Sequence, residues 1–243
     1  MGKCKLKYGQ ETGFTNDLTH EIIFSKKLIT ERYYDRKMNK FFKVSPAIKQ
    51  YAFSHEYGHF VDNLLSGTIK GHLSNSKNIL MGKKFRAATQ KYVAMFEELK
   101  KTRYAEWENP EYTKLEHAIR KDLNPFYKNK DIDFREFSAL QDTINALSKG
   151  RFTISFAHPD SYWQIKGNTE TEIFANLFSL RTAQYEQLKK IQIDLLNKYF
   201  PGLWDSFLEC IKEIELYFSN RYDPNKIGEV ITALKLRNRR NRS

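Results

Sequence analysis

The sequence predicts an α+β fold, predominantly helical, with a small sheet. Three observations carry that expectation. Several long stretches repeat apolar residues at helical spacing, and they are bounded by capping and breaking residues. Two short runs, 21–24 and 151–156, have strand composition instead. With 40% hydrophobic and 14% aromatic residues in 243, the chain can bury a sizeable core, and wholesale disorder is excluded.

The elements follow in order. The first ~20 residues are polar and poorly periodic. The run 21–24 (Glu-Ile-Ile-Phe) reads as a strand, and a faint helical pattern covers 29–40. Ser45-Pro46 is a strong helix start, an N-cap residue followed by proline at the first helical position. Ile48, Ala52, His55, His59 and Asp62 then fall on one face of that helix. It should end near Ser66-Gly67, where glycine can cap in the left-handed region. Helices are expected over 76–105, 111–122 and 133–147, then a second strand at 151–156 and a loop over 157–168. Three more helices follow, from Thr169 to about Gln184, over 183–199 up to Pro201-Gly202, and over 203–218.

Charge is unevenly placed. Of the net +12, residues 1–50 hold 11 Lys/Arg against 5 Asp/Glu, and residues 235–243 hold 5 against none. The rest is nearly neutral, 25 against 24. A basic end can attract nucleic acid or another polyanion, or merely be a solvated tail. No run approaches a membrane span, and the start lacks the apolar stretch of a secretory signal. A cytoplasmic place is therefore expected. Two cysteines, Cys4 and Cys210, make no disulfide framework, and a reducing compartment is the default. Cys210 lies on an apolar helix face and reads as inert packing.

The decisive segment is His55-Glu56-Tyr57-Gly58-His59. Histidines at i and i+4 on one helix face can share a zinc ion. Glu56 is the natural general base for a water at that ion. With 6 His and 18 Glu, composition alone yields H-E-x-x-H about 0.01 times in such a chain, so chance is a poor explanation. Gly58 inside a helix costs about 1 kcal/mol relative to alanine, which close approach of another element would explain.

A catalytic zinc needs a third protein ligand and an open position. Asp62 and Leu65 stand where a metzincin would have glycine and histidine, which excludes that class. His20, His72, His117 and His158 lie in no recognisable third-ligand pattern, so a carboxylate from a second helix is expected. In the stretch from Thr169 to Phe178, Glu172, Ala175, Asn176 and Ser179 form a small, polar strip beside an apolar face. That strip would allow close helix approach and makes Glu172 the candidate, with Glu170 as fallback. The competing reading is a capping box, Thr169-x-x-Glu172. Asp62 is either a partner that orients His59 or an exposed helix carboxylate.

Together, His55-Glu-Tyr-Gly-His59-Phe-Val-Asp62 and Glu172-Ile-Phe-Ala-Asn-Leu-Phe178 resemble the gluzincin class of zinc metallopeptidases. The likeness is to lethal-factor-like domains and to zincin-like domains of bacteriophage minor head proteins. Phe137 to Leu147, His158, Tyr162-Trp163 and Lys198-Tyr-Phe-Pro201 also resemble the phage-type domains, and the likeness spans about residues 12–217. It implies a zincin-like catalytic domain over 12–182 with a helical insertion at about 76–148. The insertion accounts for the long separation of His59 from Glu172. A C-terminal helical subdomain over 183–234 and a basic tail over 235–243 complete the expected organisation.

The resemblance further implies one catalytic Zn2+ held by His55, His59 and Glu172. Glu56 would be the base, and Tyr162 and His158 would steady the oxyanion. The expected activity is hydrolysis of a peptide or protein substrate. The alternative is a phage head morphogenesis protein, virion-associated, whose zincin domain is mainly structural.

Overall fold

In the computed structural model, side chains are described for residues 45–63, 74, 82–99, 114–126, 128, 136–152, 158 and 161–216, with backbone elements extending somewhat beyond. The helices are α1 (Pro46–Ser66), α2 (Lys83–Lys101), α3 (Pro110–Lys128), α4 (Ser138–Leu147), α5 (Asp160–Trp163), α6 (Asn168–Thr182), α7 (Glu186–Tyr199) and α8 (Leu203–Arg221). A single 3-10 turn, Phe134–Phe137, leads into α4.

This corrects the expected α+β class with a small sheet. The body that carries the core is all-α: among the described residues from Pro46 to Arg221, every regular element is a helix. Of the second expected strand, 151–156, only Arg151 and Phe152 are described, and neither is in a strand. Arg151 and Phe152 form a bend behind α4, and residues 153–157 lie outside the described set. The Phe152 N–H donates to Ser148 Oγ at 2.9 Å, its ring is buried, and the Arg120 guanidinium sits 5.3 Å from the ring centroid. Phe152, a residue of high β-propensity, is accommodated by burial behind a helix end, since β-propensity measures fit to a half-buried surface. Ahead of Ser45 the backbone has short extended stretches, including Glu21–Ser25 and Arg32–Asp35, so the faint helical pattern at 29–40 is not realised at its centre. Side chains ahead of Ser45 and the basic tail at 235–243 lie outside the described residues.

The helix starts obey local rules. Ser45 Oγ accepts the Ile48 N–H at 3.2 Å, a side-chain N-cap in front of Pro46. Gly82 precedes α2 at φ 66°, and its N–H donates to Glu213 Oε2 on α8 at 2.6 Å. Gln192 of α7 reaches across to Leu140 N–H and Glu136 C=O, both 3.2 Å away, and ties α7 to the start of α4.

One hydrophobic core runs through α2, α3, α4, α6, α7 and α8. Its centre is an aromatic triad, Phe85 from α2, Phe174 from α6 and Phe207 from α8, with ring centroids 5.9, 5.8 and 5.6 Å apart. The rings meet edge to face, a geometry worth about 0.5–1.5 kcal/mol per pair beyond burial. The segment expected as an insertion and the helices expected as a C-terminal subdomain both contribute to this core. Phe96, Leu140, Phe200 and Phe207 are all but fully buried within it. Among the described residues, no helix is long and apolar enough to cross a membrane.

Candidate metal centre

The site lies where α1 and α6 cross. Gly58 of α1 faces Ala175 of α6. A Cβ built on Gly58 would stand 2.9 Å from Ala175 Cα and 3.1 Å from Phe178 Cβ. Side chains do not pack at such distances, so only glycine permits this approach. The helices run antiparallel, with Gln50 of α1 at the far end of α6. Gln50 Nε2 donates to Thr182 C=O at 2.8 Å, and Gln50 Oε1 accepts the Gln184 N–H at 3.2 Å. That register carries the opposite ends together, so His55 and His59 meet Glu172.

Their ligand atoms converge. His55 Nε2 and His59 Nε2 are 3.1 Å apart. His55 Nε2 lies 3.4 Å from Glu172 Oε2, and His59 Nε2 lies 3.5 Å from Glu172 Oε1. Three donors at ~2.1 Å from a tetrahedral zinc would be spaced by about 3.4 Å. The two imidazole nitrogens approach that spacing, each lies near it from one or the other carboxylate oxygen, and one ligand atom from each residue falls within 4.8 Å of the others, so the group could hold a metal ion. The donor set, two imidazoles and one carboxylate, suits a borderline cation and leaves a fourth position for water.

The electrostatics point the same way. Burial would raise the Glu172 carboxyl, but His59, His158 and His55 outweigh it and hold the group well below the usual carboxylate range. Burial alone would lower His55, yet its hydrogen bond and charge interaction with Glu172 push it up to about 9. A buried anion facing imidazoles demands positive charge, and in the metal-free chain protons supply it.

The structure separates the Glu172 readings. The residue before α6 is Gly167 at φ 96°, with no side-chain cap, so Thr169 is not the N-cap and a capping box is not formed. Glu172 is 4% exposed and points at the histidines. Glu170, in the first turn of α6, stands outside the trio.

Tyr162 and His158 both arrive at Glu172. The Tyr162 hydroxyl donates to Glu172 Oε1, and His158 Nε2 is 3.5 Å from the same oxygen. Their rings stack at 3.9 Å, and Trp163 meets both edge to face. His158 keeps 45% of its side chain exposed, so it lies at the open side of the site. Burial disfavours its charge, but Glu172 outweighs that and raises its pKa. Glu56 is 9% exposed, and its charge acts on both His55 and Tyr51.

Asp62 is not the exposed helix carboxylate of the alternative expectation. It is fully buried, and its two oxygens accept the Ser74 N–H at 2.8 Å and the Ser74 hydroxyl at 2.6 Å. It therefore anchors the chain beyond α1. His117 lies exposed on α3, while His20 and His72 fall outside the described residues. Cys210 is buried, and burial pushes its thiol up to about 12, as expected of inert packing.

Sequence reading missed Tyr51 and the part played by Asp142. Tyr51 stands one turn before His55, on the same face of α1, and that spacing was its only signal. Its ring centroid is 5.6 Å from that of His55. Its hydroxyl lies 2.6 Å from Asp142 Oδ2 and 3.0 Å from Asn176 Oδ1. Asp142 comes from α4, and nothing local to its sequence marks it. Comparison with protein-family models, with curated proteins and with solved structures gives no significant match.

Proposed function

We propose that the chain is a zinc-dependent metallopeptidase of gluzincin-like arrangement, with His55, His59 and Glu172 as ligands and Glu56 as general base. One observation carries the reading. The two H-E-x-x-H imidazoles and a carboxylate from a helix 113 residues on meet at the spacing of a tetrahedral zinc site. The glycine–alanine helix contact that brings them together supports it.

Zinc, when bound, supplies Lewis acidity, polarising a carbonyl and lowering the pKa of water toward about 7. The chain's own residues do the rest. Glu56, next to His55 and shielded from bulk solvent, takes a proton from the attacking water. It delivers that proton to the amide nitrogen as the C–N bond breaks and the new C–O bond forms. His158, at the open side of the site, donates a hydrogen bond to the carbonyl oxygen as negative charge grows on it, and the Tyr162 hydroxyl joins it by turning its one proton away from Glu172 Oε1. A preorganised donor of this kind contributes about 10²–10³ in rate. Trp163, 5% exposed, backs both rings and fixes their orientation. The exposed edge at His158 is where an extended peptide would enter.

Metal analysis of the purified chain, with cleavage of an internally quenched peptide library, tests this reading. One zinc per chain is expected, lost in Glu172→Ala and kept in Glu170→Ala and Glu56→Gln. Cleavage should vanish in Glu56→Gln. A Glu56→Gln chain that cleaves as fast as the parent would refute the base assignment.

A further inference from the structure

Asp142 is a second carboxylate at the site, and the metal reading leaves it without a task. It keeps a partly exposed edge, yet burial lifts its carboxyl to about 6. Its charge interacts with His55, Glu172 and His158. The Tyr51 hydroxyl holds Oδ2 at 2.6 Å. Tyr51 has one proton and two nearby acceptors as placed, Asp142 Oδ2 and Asn176 Oδ1. Asn176 Nδ2, by contrast, is buried without a partner. Turning the Asn176 amide over resolves both points, because amide orientation is an assignment from hydrogen bonding. Asn176 then donates to Tyr51, and Tyr51 donates to Asp142. The three residues come from α6, α1 and α4, so the chain of bonds locks Asp142 to the two helices that carry the ligands.

His55 shows the matching need. Its Nε2 faces the ligand triangle, and its Nδ1 is buried with no hydrogen-bond partner. A histidine that ligates through one nitrogen nearly always offers the N–H of the other to a carboxylate, carbonyl or water.

Tyr51, which holds Asp142, also packs its ring 5.6 Å from that of His55. We propose that Asp142, held in place by Tyr51 and Asn176, is the positioning carboxylate for His55: its charge, reaching the imidazole without a direct hydrogen bond to Nδ1, favours the tautomer protonated there, so that Nε2 stays turned to the metal. This rests on the reading of His55, His59 and Glu172 as zinc ligands. Asp142 touches no reacting atom in this role. It acts through His55, and its effect is on metal affinity and on the ligand field.

The test uses the full chain, with zinc affinity read by chelator competition and the visible spectrum recorded after cobalt substitution. Asp142→Ala should weaken zinc binding about 10–100-fold. Asp142→Asn, which retains an acceptor without the charge, should fall between that variant and the parent. Tyr51→Phe should weaken binding in the same direction by a smaller factor, and the cobalt bands should shift in all three. Parent-like zinc affinity and an unchanged cobalt spectrum in Asp142→Asn would overturn the inference and leave the metal reading intact. So would a lowered unfolding temperature of the metal-free chain with no change in affinity, the mark of a merely structural role. If the Asp142 variants do not fold, Tyr51→Phe decides, and parent-like affinity there overturns the proposal. A parent chain that binds no zinc overturns the metal reading itself, and this inference falls with it.

Discussion

Helix α6 has two faces that do different work. One carries Ile173, Phe174, Leu177 and Leu180 into the aromatic core, all essentially without solvent exposure. The other carries Glu172, Ala175, Asn176 and Ser179 against α1, and they are buried just as deeply. The apolar face is held by area and ring geometry, so it tolerates exchange of one large side chain for another better than loss of volume. The polar face is held by close approach and by specific partners. Ser179 Oγ returns its hydrogen bond to Asn176 C=O at 2.7 Å, Asn176 meets Tyr51, and Glu172 meets three imidazoles. Both faces are dry, but only the second presents charge. Burial by itself therefore does not distinguish core from site, whereas the chemistry of what is buried does.

The sharpest way to break this comparison is to change one face and watch the other. Glu56→Gln, on the polar side, should cut peptide cleavage by about 10²–10⁴-fold, the usual range for removing a general base. Zinc content and thermal unfolding should stay near the parent values, and a matched drop in stability would deny the separation of roles. Phe207→Ala, on the apolar side, should cost about 3–5 kcal/mol of folding stability in chemical denaturation. Whatever remains folded should bind zinc as the parent does.

Gly58→Ala tests the seam between the two. The new methyl meets Ala175 backbone at 2.9 Å, and backbone cannot swing aside like a long side chain. The helices must part, at a cost of about 1–3 kcal/mol, against about 1 kcal/mol gained in helix propensity. Zinc affinity should fall more than stability does, because the ligand triangle widens as the seam opens. Equal affinity in Gly58→Ala would show that the approach is not what sets the triangle.

A pH series sharpens the electrostatic side. His55 titrates at about 9 in the folded metal-free chain and near 6.5 when unfolded. Its charged form thus adds stability that is fully present below 6.5 and lost as pH rises through 9. The unfolding temperature of the metal-free chain should decline across that window. Glu172→Gln, which removes the partner anion, should flatten the decline. The smallest effect is expected at the surface. Lys190–Asp194 and Arg181–Glu215 are exposed pairs, and Lys190→Ala should shift stability by no more than about 0.5 kcal/mol.

Much of the polar seam was legible beforehand, and the reasons are local. An i, i+4 pair of histidines shares a helix face by helix geometry alone. Gly58 announced close packing because glycine is otherwise costly there. The strip from Glu172 to Ser179 announced which face would receive it. The fold class was not legible in the same way. Run 151–156 has the composition of a strand, but composition cannot say whether a partner strand will be there, and Phe152 instead turns under Arg120 behind α4. The spacing of Asp62 gave no sign that its two oxygens would accept the Ser74 N–H and hydroxyl, twelve residues on.

The sequence by itself determined the helix that bears His55, Glu56 and His59, the start of that helix at Ser45-Pro46, and the small-residue face that would meet it. Each of these follows from the spacing of side chains a few residues apart, which helical geometry turns directly into shared faces. The tertiary structure alone decided that Glu172, and not Glu170, joins the two histidines, that His158 and Tyr162 stand beside it, and that Asp142 meets Tyr51, whose ring packs against His55. Those partners are separated by 80 residues and more along the chain for Asp142, and by helix crossings for the rest. Their meeting depends on the antiparallel register of α1 and α6 and on the way α4 packs beside them.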